Sequence, residues 1–163
     1  MKQVIWMVVG FPPIVGSDAE VLILGTMPSV KSLYRQQYYG HPQNTFWPIV
    51  YDLWDQTPPG DYEQRKQFLM AHRIALWDVL MACEREGSAD SAIESPRAND
   101  FVWLASQCPH LKAVVFNSQN AARFYQTMVR PDPFVHLSKI TLPSTSPARA
   151  MKWETKREAW SAL

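Results

Sequence analysis

Cysteine is scarce in these 163 residues: only Cys83 and Cys108 occur, far apart and outside any Cys-x-x-Cys pair. Two such thiols cannot assemble a four-thiolate zinc or iron–sulfur site, so both are expected reduced and partly buried. Histidine is nearly as sparse. His72, His110 and His136 are scattered without metal-ligand spacing, and His41, beside Pro42 in a tight turn, reads as a structural hydrogen-bonding residue. No metal and no organic cofactor is expected. Long apolar runs are missing as well; none approaches the ~20 residues that a membrane-spanning helix needs. The apolar opening, Met1 to Val9, is short, runs into Pro12-Pro13 and lacks a small-residue cleavage site, so it reads as the first strand of a cytoplasmic protein rather than a signal peptide. A Gly-x-Ser-x-Gly elbow is also absent, which removes the α/β-hydrolase reading.

Charge is thin. Charged residues make up 19% of the chain and the formal net charge is +1, which alone says nothing about a polyanionic partner. The distribution is more informative. Residues 1–109 carry 8 basic and 12 acidic side chains, whereas residues 110–163 carry 8 and 3, so the halves stand at −4 and +5. A basic C-terminal third is suited to facing phosphates.

What is present is apolar patterning. Hydrophobic residues reach 47%, and the length suits a single domain, residues 1–163, around one core. Val21-Leu22-Ile23-Leu24 is a short apolar run ending in Gly25, as expected of a strand buried on both faces. Phe46 to Trp54 has helical apolar spacing, and Asp61 is placed to cap a helix from Tyr62 to Ala71. Ile74 to Leu80 reads as a second core strand, Cys83 to Arg97 as a polar surface loop, and Asn99-Asp100 as the opening of a helix through Ser106. Leu111 to Phe116 predicts a third strand, ending at Asn117-Ser118 before a helix from Gln119 to Met128. Phe134 to Leu142 predicts a last strand or hairpin, followed by Pro143-Ser144-Thr145-Ser146-Pro147 and a helix from Lys152 to Ala162, with Thr145 or Ser146 available to start it. This alternation predicts an α/β protein: a three-layer α/β/α domain with a central, mostly parallel four-stranded sheet. Three polar loops, at 25–29, 117–118 and 143–147, follow strands and are expected to converge on one cleft.

Three segments together resemble the uracil-DNA glycosylase superfamily. Gly25-Thr26-Met27-Pro28-Ser29 is similar to its water-holding strand-end loop. Tyr38-Tyr39-Gly40-His41-Pro42-Gln43-Asn44-Thr45-Phe46-Trp47 resembles the mismatch-specific segment that ends in Asn-x-Phe-Trp. Leu142-Pro143-Ser144-Thr145-Ser146-Pro147-Ala148 is similar to the minor-groove insertion loop. Gly10-Phe11-Pro12-Pro13, Trp77-Asp78-Val79-Leu80 with the following Cys83 to Ile93, and Phe116-Asn117 add likeness to the hypoxanthine-excising branch. The likeness runs from about residue 10 to residue 160.

The resemblance implies a monomeric, cofactor-free enzyme that binds DNA containing deaminated bases, chiefly hypoxanthine, and hydrolyses their N-glycosidic bond. The target base must first leave the stack. Tyr39 then aligns with the aromatic wall for the flipped base. Asn44 is expected to be the central catalytic carboxamide, since Met27 occupies the position where uracil-directed branches carry Asp or Asn, and a thioether cannot orient water. Backbone N–H groups at Thr26 and Met27 would face the departing base as an oxyanion hole does. Asn117 is expected to bond the base or a phosphate. Ser144 stands where the uracil branches place His or Asn. Ser29, Lys31, Ser118 and Ser146 are candidate phosphate contacts, and Ala148 and Arg149 are placed to wedge into the vacated stack. The three loops hold no lysine, so Schiff-base chemistry is not expected there. Two alternatives stay open: a mismatch uracil or thymine glycosylase, against which Met27 and Ser144 count, and a lesion-binding protein without turnover.

Overall fold

The structure is a computed structural model that describes residues 7–163; Met1 to Trp6 of the expected first strand lie outside the described residues. The apolar runs form the central sheet as the pattern requires. Strands β2 (Val21–Gly25), β3 (Ile74–Asp78), β6 (Ala113–Asn117) and β7 (Ser138–Leu142) lie in the order β3-β2-β6-β7. All three pairings are parallel, with Leu24 opposite both Trp77 and Phe116. Leu22, Ile23, Leu24, Ala75, Leu76 and Val114 are fully buried, as expected where helices cover both faces. Edge strand β7 is the exception: its first four residues are exposed, and only Leu142 enters the core.

The helices follow their sequence signals. Asp61 accepts the Glu63 N–H at 2.9 Å and starts α3 (Tyr62–Ala71), while Asp100 accepts from Trp103 N and starts α4 (Phe101–Gln107). The buried face of α2 (Phe46–Asp52) carries Phe46, Trp47, Ile49 and Val50, and Asp52 holds Arg157 of α6 (Trp153–Trp160) at 2.7 Å. Helix α5 (Gln119–Met128) has the expected limits, with Ala121 and Tyr125 in the core. A short helix without an apolar signature, α1 (Val30–Arg35), follows the first polar loop.

Two expectations are corrected. The stretch 83–97 is not a surface loop. After β3 ends at Asp78, the chain turns at Val79 into β4 (Leu80–Glu84), makes a 3₁₀ turn at Asp90–Ala92 and returns as β5 (Glu94–Ala98). With β1 (Met7–Val9) these strands form a small antiparallel sheet, order β1-β4-β5. Polarity misled because β5 is an edge strand with mostly exposed side chains and a bulged register. The last helix begins at Trp153 with Lys152 as its N-cap residue, not at Thr145 or Ser146, whose side chains pair with Asn117 and with the Ala148 N–H instead.

The strand order fixes where a ligand sits. The chain leaves β2 toward β3 on one side, while β6 lies on the other, so a crevice opens between the carboxyl ends of β2 and β6. Open α/β sheets bind ligands at such switch points. Gly25 and Asn117 end the two strands that flank it.

Candidate active site

The three polar loops do meet. Loop 25–29, Asn117-Ser118 and loop 143–149 line one cleft of about 730 Å³, joined by Tyr39 and Asn44 from the segment before α2. That volume falls within the usual range for small-molecule sites.

Thr145 holds the cleft together. It is fully buried. Its N–H donates to Asn117 Oδ1 at 2.9 Å, and its hydroxyl accepts from Asn117 Nδ2 at 2.9 Å. Its carbonyl accepts from the Thr45 backbone at 3.1 Å and hydroxyl at 3.3 Å. Lys156 adds a donor to Ser146 O at 3.2 Å, and the Trp160 indole donates to Pro143 O at 2.9 Å. Burial, followed by the charge of Arg149, lowers the pKa of the Lys156 ammonium. Asn117, expected to meet a base or phosphate, therefore spends both ends of its amide on the insertion loop.

The aromatic wall is built on stacked rings. Tyr39 adopts a left-handed backbone, φ 53°, and its ring stacks on Phe46 with centroids 4.2 Å apart. Phe46 is fully buried and meets Trp47 and Trp160 edge-on. Tyr38 points into the core instead, its hydroxyl donating to Pro12 O at 2.8 Å. Asn44 Oδ1 accepts the Phe46 N–H at 2.9 Å, which fixes the amide orientation and leaves Nδ2 as the group available to the cleft. Asn44 is thus a helix-start residue and a cleft-lining donor together.

The serines are mostly engaged in local turns. Ser29 accepts from Ser32 N and donates to Ser32 Oγ, both at 3.1 Å, so its hydroxyl is used in both directions and is not free for the expected phosphate. Ser118 caps α5 through Ala121 N, Ser144 accepts from Ser146 N, and Ser146 accepts from Ala148 N. All four line the cleft. Ala148 and Arg149 are exposed on its rim. Lys31 is exposed on α1, and it is not among the cleft-lining residues.

The floor holds a residue that site reasoning passed over. Asp78 ends β3 at 4% exposure, and its Oδ2 has no hydrogen-bond partner. The Thr26 and Tyr39 hydroxyls, also in the cleft, are buried without a well-formed hydrogen bond, with Asp90 beside the first and Asn117 beside the second. Native structures rarely leave such groups unsatisfied. Gly25 makes this arrangement fit: a Cβ there would lie 2.6 Å from Asp78 Oδ1 and 2.9 Å from the Tyr39 hydroxyl. Burial, reinforced by Asp90 and opposed by Arg85, pushes the Asp78 carboxyl up to about 7. Burial likewise raises the Tyr39 phenol, keeping it protonated. Arg85, buried behind the first loop, donates to Pro28 O at 2.6 Å and Gly87 O at 2.8 Å. The available signal was an aspartate closing an otherwise apolar strand run, Ile74-Ala75-Leu76-Trp77-Asp78. Among the described residues, no three or more His, Cys, Asp or Glu side chains group as a metal site, and no helix is long and apolar enough to cross a membrane.

A parallel sheet, a switch-point cleft, a stacked aromatic wall and buried polar atoms on the floor define an α/β domain with a polar cleft at the carboxyl edge of its sheet. The chain belongs to the uracil DNA glycosylase superfamily, whose family model matches residues 12–163. It is 37% identical over 155 residues to a hypoxanthine DNA glycosylase of Methanosarcina acetivorans, covering 94% of this chain and 96% of the relative. A hypoxanthine DNA glycosylase of Methanosarcina barkeri is 34% identical over 153 residues, covering 93% and 94%. The solution NMR structure of a candidate uracil DNA glycosylase from Methanosarcina acetivorans superposes with a TM-score of 0.83 at 35% identity, over 96% of both chains.

Two stability outcomes follow. Asn117→Ala leaves the Thr145 N–H and hydroxyl unpaired in a fully buried position; a loss of about 2–4 kcal/mol is expected in urea unfolding, and a change under 0.5 kcal/mol would refute the clamp. For Asp78 the folded pKa, about 7, stands above the unfolded value of 3.8. Wild-type stability from this group is therefore complete below pH 4 and falls as pH rises toward 7. Asp78→Asn should gain on wild type across that window, by up to roughly 4 kcal/mol, and the gap should level off above it. Parallel stability–pH curves for the two proteins would count against the buried carboxyl.

Proposed function

We propose that this protein is a monofunctional DNA glycosylase, a hydrolase that releases deaminated bases from DNA, hypoxanthine first, at the start of base excision repair. The observation that carries the reading is the cleft floor, where Asp78 Oδ2 and the Thr26 and Tyr39 hydroxyls lack partners beside a stacked aromatic ring. Polar atoms kept out of water without partners suit a planar ligand that brings its own donors and acceptors.

In the reaction the C1′–N bond breaks as the sugar becomes cationic and the base departs with the bonding electron pair. Water then supplies hydroxyl to C1′ and a proton to the base. Tyr39 offers the exposed side of its ring for stacking. Asn44, with Oδ1 tied to α2, acts through Nδ2 as a donor to an acceptor on the departing purine. The loop at Thr26 and Met27 presents backbone to the same place, and Met27 itself supplies no water-orienting group. Ser144 lies in the insertion loop with a hydroxyl proton to give. Ala148 and Arg149, exposed at the rim, fill the gap left by the base. Lys156, the lysine bonded to the insertion loop, is 3% exposed and tied to Ser146 O, which supports hydrolysis without a Schiff base.

The test is alkali cleavage of end-labelled duplexes after incubation with enzyme. Inosine-containing DNA should yield abasic sites, and Asn44→Ala should lower the single-turnover rate about 10²–10³-fold, or 3–4 kcal/mol, with DNA binding retained. Wild-type rates in that variant would overturn the assignment of Asn44. Binding should weaken steeply with salt, and Arg149→Glu should reduce affinity for damaged and undamaged duplex alike. Unchanged affinity at low salt would take the rim of the insertion loop out of the DNA-binding face.

A further inference from the structure

We propose that Asp78 reads the base: its free Oδ2 accepts the N1–H of a 6-oxopurine turned into the cleft, a hydrogen that hypoxanthine carries and adenine lacks. This inference rests on the glycosylase reading and names the residue that would give it purine specificity. Geometry places Asp78 for the task. It ends β3, beside the switch-point crevice, and its carboxyl crowds against Gly25 together with the Tyr39 hydroxyl. A base stacked on Tyr39, with its sugar still joined to DNA outside, enters with the edge opposite the glycosidic bond foremost. On a purine that edge carries N1 and the 6-substituent. It reaches the floor where the tip of Tyr39 and Asp78 lie.

The chemistry of the floor matches one pattern. Ionised Asp78 is an acceptor only, and the carboxyl, pushed up to about 7 by burial, is in that state above neutral pH. Hypoxanthine offers N1–H to it and needs donors at O6, for which the Thr26 and Tyr39 hydroxyls are unpartnered. Adenine presents a lone pair at N1, which a carboxylate repels. Guanine shares the N1–H, so Asp78 does not exclude it; its stronger pairing makes leaving the stack costlier. The backbone around Asp78 is held independently of the side chain: Asn99 donates to its carbonyl at 2.8 Å, and Val79 N donates to Gly25 O at 2.8 Å. The carboxyl can therefore be altered while its position in the sheet is kept.

The experiment compares hypoxanthine with its 1-deaza isostere, in which C–H replaces N1–H, across wild type, Asp78→Asn and Asp78→Ala. Affinity is measured at about pH 8.5, where the Asp78 carboxyl is ionised, on duplexes whose target nucleotide carries a 2′-fluoro group that blocks cleavage, so binding is read apart from turnover. The target faces an abasic site on the opposite strand, so no difference in base pairing enters the ratio of affinities. Wild type should bind the isostere about 10–100-fold more weakly, the range for a hydrogen bond to a charged acceptor. The penalty should shrink to a few-fold in Asp78→Asn, which offers only a neutral acceptor, and vanish in Asp78→Ala. Asp78→Asn keeps the shape of the side chain and supplies the answer if the alanine variant does not fold. An undiminished penalty in Asp78→Asn or Asp78→Ala, or none in wild type, would overturn the role of Asp78. Absence of product from cleavable inosine DNA, with the pattern of affinities intact, would instead overturn the enzymatic reading alone.

Discussion

Thr145 and Asn117 form the contact on which the site depends. In a parallel sheet each strand end leaves backbone groups that the next strand no longer satisfies. Here the Asn117 side chain takes over from the ladder at the end of β6, pairing both of its amide groups with Thr145 just beyond β7. The Thr145 carbonyl then reaches Thr45, at the start of α2. One buried residue thus joins the insertion loop, the third core strand and the segment that carries Tyr39 and Asn44. A polar network of this kind is stabilising only when every member is paired, and at Thr145 every member is.

The floor of the cleft follows the opposite rule. Asp78, Thr26 and Tyr39 are buried with polar atoms unpaired, at a cost that hydrophobic packing around Leu24, Trp77 and Phe116 must offset. Such a conflict between stability and local satisfaction is characteristic of functional positions. Gly25 belongs to it, because only the lack of a Cβ lets the Asp78 carboxyl and the Tyr39 hydroxyl approach the end of β2 so closely. Rigid pairing around the rim and unmet hydrogen bonds inside it are complementary. The first keeps the cleft in shape, and the second reserves it for a ligand that completes the pattern.

The surface around the cleft divides the remaining work. The insertion loop is anchored from below by Lys156 and Trp160, while Pro147, Ala148 and Arg149 stand exposed above. A loop fixed at its base and bare at its tip is suited to entering a groove without losing its position. The basic C-terminal third supplies both the buried anchor, Lys156, and the exposed cation, Arg149.

Much of this was legible in the chain. The buried strands at Val21–Gly25 and Ala113–Asn117, helix α3 with its Asp61 cap and helix α5 all follow from apolar periodicity and capping chemistry, which act over a few residues and are written locally. Motif spacing also brought Thr26, Tyr39, Asn44 and the insertion loop into one site. The small antiparallel sheet was not legible, because an edge strand such as Glu94–Ala98 buries too little to impose a pattern. Nor were the side-chain partners. Asn117 and Ser29 looked free to meet DNA, yet a partner 28 residues away takes the first and Ser32 the second. Whether a polar atom on the cleft is used up or left open depends on distances between segments that sequence does not bring together. The strand order β3-β2-β6-β7 decided that, by setting Asp78 beside Gly25 and Asn117 beneath Thr145.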